Sequence, residues 1–438
     1  MLQSGYAQVD ITPHLGVSLE GYFHPRAMEG ILDPLQATAV AFGANKKAII
    51  IALDLIGINQ RLLTALRKQV GAALDIPFEG VFIHCSHTHL GPGTVNAKGI
   101  ESNPEYIEFL KRRIQDVAVM AMNDLAPTTL SFTRNTVQQV AYVRRFRMKD
   151  GSVRTNPPPR DPDIVAPIGE PDENVSLLIL KREGKPEIGI VNFQVHPDVI
   201  GGNLVSADFP GFVRRTYEAK IPNSRCLYIN GTQGDTNHID NKLLKGDPMR
   251  SGYGRSRYMG EKIAMAAISN YFLAEEMSNE GVDYLHEDLT VYYNKGRADQ
   301  MEEAQRIHER YVETGSERET LPHVKGMLCT TMVAEAERIV DLSTKPDTYT
   351  LPMTALRVGD FALACFPGEA FTGIGVATKE GSPFALTMTA CCANGYEGYF
   401  PTTEAFADYS YETATARFRG ETGDLMIETS LKLLNQLR

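Results

Sequence analysis

The sequence has few of the residues that mark disulfide-rich, zinc-ribbon or membrane proteins. Its 438 residues include no tryptophan and six cysteines, and the cysteines lack the Cys-x-x-Cys spacing of zinc ribbons. We therefore expect buried, reduced thiols rather than a disulfide framework. The N-terminus has neither the basic start nor the apolar segment of a secretion signal, and no apolar run approaches the ~20 residues of a membrane span. These absences predict a cytoplasmic protein without a membrane span.

Basic residues are also scarce relative to acidic ones. The chain has 44 Lys and Arg residues against 54 Asp and Glu residues, a formal net charge of −10. Because a nucleic-acid-binding protein needs a basic face that displaces phosphate counterions, this balance argues against that class of partner. The glycine-rich patterns that bind dinucleotides or nucleoside triphosphates are missing too. We therefore expect a small-molecule substrate as the partner. The sequence neither requires nor excludes a homo-oligomer.

The apolar pattern predicts strands and helices intermixed along the chain. Residues 47–55 and 80–85 are typical of buried strands, and the leucines of 59–75 have helical spacing between them. Further apolar strands are expected at 188–195, 226–230, 361–366 and 384–391. This alternation predicts the α/β class, with mixed β-sheets flanked by helices in a single large catalytic domain over residues 1–438.

Two stretches look less like a core. Residues 156–171, loaded with proline and aspartate, are expected to form a long loop. Residues 276–346 are polar and rich in helix formers. They suit either a helical lid or a peripheral helical layer, and we favour the layer.

The first chemically informative segment follows the strand at 80–85. It contains three of the ten histidines, His84, His87 and His89, and ends in a Gly-Pro-Gly turn. Side chains at such strand ends commonly form the sites of α/β proteins. His87 and His89, two residues apart in extended chain, face the same side. They either share one metal or divide into a ligand and an acid/base partner, whereas His84 is out of phase and expected to be buried.

Two more strand ends carry candidate ligands. His196-Pro197 ends the strand at 188–195, since proline cannot continue a ladder. Glu369 follows Phe366-Pro-Gly at the end of another strand. Each residue alone suits a structural histidine or a solvated turn. Two histidines and a carboxylate together are the ligand set of many catalytic zinc sites.

Two later segments complete the set. The turn from Asn230 to His238 is rich in glycine and closes the strand at 226–230, although such turns are common. The segment Asn394-Gly-Tyr-Glu-Gly-Tyr399-Phe-Pro-Thr-Thr403, with Tyr409 and Tyr411 after it, is rich in tyrosine. These phenols either pack an irregular loop or, beside a metal, coordinate it or hold a developing oxyanion.

Taken in order, these five segments resemble the neutral (non-lysosomal) ceramidase family. The matching pieces are His87-Thr-His89-Leu-Gly-Pro-Gly93, the strand-ending histidine, the glycine-rich turn, Pro-Gly-Glu369 and the Asn-x-Tyr-x-x-Tyr segment. The opening Val9-Asp-Ile-Thr-Pro13 and Gly30-Ile-Leu-Asp-Pro-Leu35 are similar to that family's N-terminal signatures. The resemblance extends from residue 9 to residue 411, nearly the whole chain.

The resemblance implies a zinc ion, Zn²⁺, and a set of residues around it. Its implied ligands are His87, His196, Glu369 and Tyr399, contributed by four separate strand ends, as expected of a site at one edge of a sheet. Its implied catalytic residues are His89, Arg144 and Tyr411, with Arg145 an alternative to Arg144. Asp235 is expected to orient a ligand histidine.

Two departures from the family pattern bear on function. Asn237 stands where these ceramidases carry a serine in the glycine-rich turn, which removes that serine's proposed role. The family's immunoglobulin-like C-terminal domain is also not expected here, because the sequence stops at Arg438, just beyond the last predicted helix. A membrane sphingolipid therefore becomes a less suitable substrate than a small soluble one.

The resulting hypothesis is a cytoplasmic, ceramidase-like zinc hydrolase. It would cleave an amide, or failing that an ester or lactone, of a small soluble substrate through a metal-bound water. One alternative is a true ceramidase that hydrolyses N-acylsphingosine to sphingosine and a fatty acid. Another is a zinc-containing binding protein without turnover.

Overall fold

A computed structural model describes residues 1–94 and 102–438 of the chain. Its strands are β1 (Gln3–Asp10), β2 (Gly30–Ile31), β3 (Gln36–Gly43), β4 (Lys47–Leu53), β5 (Val81–Cys85), β6 (Ala126–Thr136), β7 (Tyr142–Val143), β8 (Arg145–Met148), β9 (Val153–Thr155), β10 (Ile164–Pro167), β11 (Asn174–Arg182), β12 (Glu187–Phe193), β13 (Leu204–Val205), β14 (Ser224–Asn230), β15 (Thr236–Asn237), β16 (Glu275–Met277), β17 (Val282–Tyr292), β18 (Thr348–Val358), β19 (Phe361–Cys365), β20 (Glu369–Ala370), β21 (Leu386–Ala390) and β22 (Tyr399–Phe400). Its α-helices are α1 (Gln60–Leu74), α2 (Pro104–Asn123), α3 (Asp208–Lys220), α4 (Tyr253–Ile268), α5 (Met301–Thr314), α6 (Glu317–Thr320), α7 (Met327–Ser343), α8 (Thr372–Glu380), α9 (Tyr411–Thr415) and α10 (Thr422–Leu437).

Two mixed sheets form the centre of the structure. The larger has the strand order β14-β12-β11-β6-β1-β3-β4-β5, with β16 added on β6, and the smaller has the order β17-β18-β19-β21. Most neighbours are antiparallel, but β4–β5, β12–β14 and β19–β21 are parallel pairs. The predicted α/β class with mixed sheets flanked by helices is confirmed.

The sheets pack face to face, with helices on their outer faces. Alternate residues of β4 separate cleanly: Ile50 packs toward the smaller sheet with Leu356 and Leu363, while Ile49 and Ile51 pack in the helix-covered layer. A strand buried on both faces needs a continuous apolar run. This explains why residues 47–55 lack the alternation of a half-exposed strand.

Two of the predicted stretches differ from expectation. Residues 156–171 are not wholly loop, because β10 lies within them and pairs with β8. Residues 276–346 are not a helical stretch throughout, because β17 occupies 282–292 as a full partner of β18. Periodicity failed for β17 because its half-buried position at the edge of the sheet allows polar residues at many places.

The chain leaves the smaller sheet after β17, forms helices α5 to α7, and returns to the sheet at β18. Tyr292 and Thr348 are paired at the point of departure and return. The helices share an apolar cluster that also contains Phe23 and contacts Tyr411. Hydrogen bonds anchor them to the body, from the Tyr311 hydroxyl to the Phe23 carbonyl (3.0 Å) and from Arg338 to the Ala414 carbonyl (2.7 Å).

The cysteines lie in the interior, as expected from the sequence. All six cysteines are buried and unpaired. Among the described residues, no helix combines the length and the apolar character needed to cross a bilayer.

A buried ion pair stabilises the turn after β4. Both carboxylate oxygens of Asp54 accept hydrogen bonds from the Arg214 guanidinium, at 2.9 and 2.6 Å. One of these oxygens also accepts the Gln36 amide. Both members of the pair are nearly inaccessible to solvent, so removal of either one leaves a buried charge without a partner.

We expect Arg214→Leu to lower the free energy of unfolding by about 3–5 kcal/mol, because Asp54 would remain buried and uncompensated. Urea denaturation measures this change. Arg257→Leu is the matched control on the neighbouring helix α4: its guanidinium is 65% exposed and its partner Glu261 is 46% exposed, so its loss should cost far less. Equal costs for the two variants would contradict the prediction.

Candidate metal centre

The candidate site lies at one end of the two-sheet sandwich, where parallel strands from both sheets end. His87 follows β5 and His196 follows β12 of the larger sheet, while Glu369 follows β19 of the smaller one. Backbone contacts join the two sheets at this end, for example from Asn394 to the Ile83 carbonyl at 2.8 Å. The expectation of a single sheet edge is therefore wrong, because the candidate ligands come from two sheets.

His87 is buried and held by the turn after β4. Its backbone has a φ of 73°, an uncommon value for a non-glycine residue, and its amide donates to the Leu55 carbonyl at 2.9 Å. Its Nδ1 lies 2.8 Å from the Ile56 carbonyl. Because a carbonyl oxygen only accepts, Nδ1 carries a proton, and Nε2 is left as the nitrogen available to a metal.

His196 is oriented in the same way by the glycine-rich turn. Its Nδ1 lies 2.9 Å from the Gln233 carbonyl and 3.0 Å from the Thr236 carbonyl. Nε2 is again the nitrogen available to a metal. Histidine ligands of metals commonly donate their second ring nitrogen to a carbonyl in this manner.

Glu369 brings the two imidazoles together. Its Oε2 lies 2.9 Å from Nε2 of His196 and 3.3 Å from Nε2 of His87. Burial opposes ionisation of this carboxyl, but His87 and His196 outweigh it and hold the pKa of Glu369 well below its usual range. Ligands at the 2.0–2.1 Å of a tetrahedral zinc lie roughly 3.3 Å apart, so these three atoms fit the ligand positions of such an ion.

The electrostatics of the two imidazoles differ. Burial, assisted by Arg144, lowers the pKa of His196 to about 4. For His87, burial acts in the same direction, but the adjacent Glu369 carboxylate overcomes it and raises the pKa. A cation placed among these groups would supply the positive charge that His87 otherwise supplies to Glu369.

His89 lies beside this pair, with its ring centroid 5.1 Å from that of His87 and 6.1 Å from that of His196. Ligand atoms of the three histidines all lie within 4.8 Å of one another and could hold a metal ion. Neither ring nitrogen of His89 has a hydrogen-bond partner, although both are buried. The structure brings all three residues together and is compatible with both readings of His89, as ligand and as acid/base partner.

Tyr399 and Tyr411 line the next side of the site. β20 and β22 pair in parallel and set Tyr399 opposite Glu369, and the Tyr399 ring stacks on that of His196 at 6.3 Å. The Tyr411 ring meets Tyr399 edge to face at 5.6 Å. Both phenols therefore belong to the cluster rather than to a remote loop.

The structure distinguishes Arg144 from Arg145. The Arg144 guanidinium carbon lies 5.2 Å from the Tyr399 ring centroid, and its Nε lies 2.7 Å from an oxygen of Glu412. Arg145 is directed elsewhere: it donates to the Ala405 carbonyl at 3.2 Å. Arg144 is the arginine beside the candidate site.

The expected role of Asp235 is not supported by its contacts. Its carboxylate accepts from the backbone and hydroxyl of Thr372, at 2.8 and 2.7 Å, and among the described residues it forms no hydrogen bond with His87 or His196. The carbonyls of Gln233 and Thr236, on either side of Asp235, orient His196 instead. The sequence could not distinguish a side-chain partner from main-chain partners one or two residues away.

Asn237 is buried, and its amide is used within the protein. Its Nδ2 donates to Oδ1 of Asn156 at 2.8 Å, and its Oδ1 accepts the Ile239 amide at 3.0 Å. An amide bonded at both ends is a structural group and has no nucleophilic atom.

Sequence reasoning singled out the ligand tyrosine but missed Tyr396 in the same segment. The Tyr396 hydroxyl donates to Oε1 of Glu369 at 3.1 Å, so it fixes the carboxylate with Oε2 toward the histidines. The first tyrosine of the Asn-x-Tyr-x-x-Tyr segment was the available signal. His84 is buried as expected, with Nδ1 on the Cys391 carbonyl and Nε2 accepting the Asn230 amide.

We expect His87→Ala and Glu369→Ala to abolish metal binding, because each removes one of three converging ligand atoms. Plasma mass spectrometry on protein purified without added metal measures this, with about one ion per wild-type chain expected. His308→Ala, which alters a histidine on the peripheral helices, should keep its metal, and circular dichroism verifies folding. Wild-type protein that neither contains nor binds zinc would contradict the metal centre.

Comparisons with known proteins identify the fold. No protein-family model and no curated protein matches the chain. The neutral ceramidase from Pseudomonas aeruginosa matches it with a TM-score of 0.76 and 17% sequence identity, over 100% of this chain and 74% of that chain. A ceramidase complexed with C2 matches with a TM-score of 0.74 and 16% identity, over 100% and 75% of the two chains. The ceramidase-like fold that the motifs predicted is therefore confirmed.

Proposed function

We propose that the protein is a zinc-dependent hydrolase that cleaves an amide bond of a small soluble substrate. The observation that carries this proposal is the approach of Glu369 Oε2 to Nε2 of both His87 and His196. Both imidazoles are already oriented by main-chain carbonyls. Such a preorganised set of nitrogen and oxygen donors is typical of catalytic zinc sites.

His87, His196, Glu369 and Tyr399 would hold the ion. Zinc supplies Lewis acidity, which makes water a competent nucleophile at neutral pH without a serine. This chemistry is consistent with Asn237, whose amide is tied to Asn156.

Arg144 and Tyr411 are suited to stabilise the oxyanion that develops at the carbonyl. Burial, helped by the Glu369 carboxylate, raises the pKa of Tyr411, so its hydroxyl keeps its proton and can donate. Arg144 keeps its charge because Tyr399 and Glu412 outweigh the effect of burial and raise its pKa. Donors placed beforehand at a developing charge lower the barrier without reorganising at the moment of reaction.

His89 is the proposed acid/base group. Its unpartnered ring nitrogens lie beside the two ligand histidines, where one of them can take a proton from the attacking water and deliver it to the leaving amine. Proton transfer by a positioned imidazole contributes typically ~10²–10⁴-fold to the rate.

Helices α5 to α7 are proposed to be a fixed wall of the substrate site. Their apolar cluster reaches Phe23 and Tyr411, and hydrogen bonds from Tyr311 and Arg338 tie them to the body. These buried contacts favour a packed layer rather than a mobile lid.

A true ceramidase is the second candidate, favoured by the similarity of fold to the ceramidases. Its substrate, N-acylsphingosine, requires a long apolar binding surface. The two candidates share the reaction and differ in the size and polarity of the acyl amide.

Substrate preference distinguishes them. We expect hydrolysis of short N-acyl amides that disappears with a chelator and returns with zinc, because the ion supplies the Lewis acidity. Ceramide in detergent should react at least tenfold more slowly by kcat/KM. Activity confined to long-chain ceramide would favour the second candidate, and turnover unaffected by metal removal would contradict both.

Arg144→Met and Tyr411→Phe should each lower kcat by about 10²–10³-fold, because each removes one oxyanion donor. Steady-state kinetics on the best short amide provides the measurement. Arg145→Met is the matched control, since this neighbouring buried guanidinium bonds to Ala405 instead. A similar loss of kcat in Arg145→Met would argue against a specific role for Arg144.

A further inference from the structure

His89 differs from His84, His87 and His196. The Nδ1 atoms of those three histidines each lie within hydrogen-bond distance of a carbonyl. The ring nitrogens of His89 are buried, yet neither Nδ1 nor Nε2 has a partner. Buried polar atoms are nearly always hydrogen-bonded, so both nitrogens require a partner when the protein functions.

A carboxylate stands next to one of these nitrogens. Oδ1 of Asp198 lies 3.8 Å from Nδ1 of His89. A hydrogen bond needs about 2.7–3.2 Å, so a shift of under about 1 Å joins them. The Asp198 side chain is 31% exposed and the His89 side chain 12%, which places the pair at the rim of the cluster.

The backbone around His89 is held firmly. Its amide donates to the Pro197 carbonyl at 3.2 Å, directly before Asp198, and its carbonyl accepts from Arg26 at 2.7 Å. Gly21 closes over the ring: its φ is 126°, and a Cβ there would lie 2.7 Å from Nδ1 of His89. The ring therefore has little freedom to seek another partner for Nδ1.

Asp198 is itself oriented by Tyr22. The Tyr22 hydroxyl donates to Oδ1 of Asp198. The Tyr22 ring contacts the guanidinium of Arg26, 4.1 Å from its centroid, and stacks with the ring of His24 at 5.6 Å. A hydroxyl fixed in this way sets the position of the carboxylate that it contacts.

We propose that Asp198 is a positioning residue for His89. It accepts the proton of His89 Nδ1 as a hydrogen bond, which holds the tautomer with an unprotonated Nε2 directed at the reacting groups. Carboxylate-to-imidazole contacts play this part in other hydrolases. The inference rests on the proposed function, in which His89 moves the proton between water and the leaving amine.

The decisive variant is Asp198→Ala. It removes the carboxylate oxygen that faces Nδ1 of His89. Without that acceptor, nothing holds the proton on Nδ1, and the imidazole can carry it on Nε2 instead. We expect kcat to fall by at least about 10²-fold, with KM and zinc content unchanged.

The conservative variant Asp198→Asn provides the matched comparison. The Tyr22 hydroxyl donates to Oδ1, the same oxygen that lies 3.8 Å from Nδ1 of His89. The amide therefore keeps its oxygen at that position and its NH₂ group at the position of Oδ2, so it still accepts the Nδ1 proton, and most of the kcat should be retained. Asp163→Ala is the control, because that carboxylate is 61% exposed and pairs with Lys149 beside a separate three-stranded sheet.

The tautomer of His89 is read directly from long-range ¹H–¹⁵N NMR spectra of protein labelled at histidine and loaded with zinc. A tautomer change in Asp198→Ala that is absent in Asp198→Asn supports the proposal even if no amide is hydrolysed, so it is tested separately from the function. An unchanged tautomer in Asp198→Ala would overturn it. A loss confined to KM would assign Asp198 to substrate binding and overturn it too.

Discussion

The candidate site depends on one arrangement, in which a buried carboxylate faces two buried imidazoles. Glu369 Oε2 approaches Nε2 of His196 and His87 at 2.9 and 3.3 Å. Ionised groups are costly to bury unless they are paired and hydrogen-bonded, and each member here is held from behind. The carbonyls of Ile56, Gln233 and Thr236 hold the imidazoles, and the Tyr396 hydroxyl holds the carboxylate.

The two-sheet architecture makes this arrangement accessible. Because the pairs β4–β5, β12–β14 and β19–β21 are parallel, the carboxyl ends of several strands lie at the same end of the sandwich. Polar residues lie in the loops at this end, beyond the last paired residues of the strands. Apolar residues fill the interior between the sheets and stabilise the fold. The same logic explains the turn after β4, where the buried pair of Asp54 and Arg214 stabilises the segment whose carbonyls hold His87.

Charges around the site are balanced locally. Arg144 lies between Tyr399 and Glu412, so a permanent positive charge is available at the phenols with its own counterion beside it. Asp198 and Tyr22 form a second polar pair near His89. The cluster therefore offers donors and acceptors around His87 and His196.

The sequence by itself determined the class of fold and most of the residues that meet at the site, because strand ends followed by His, Pro-Gly-Glu or Tyr are visible in one dimension. Only the tertiary structure decided that two sheets contribute, that Arg144 rather than Arg145 faces Tyr399, and that carbonyls rather than Asp235 orient His196. These outcomes depend on side-chain direction and main-chain partners across distant segments. Local periodicity has no information about either, which is also why the polar strand β17 resembled a helical stretch.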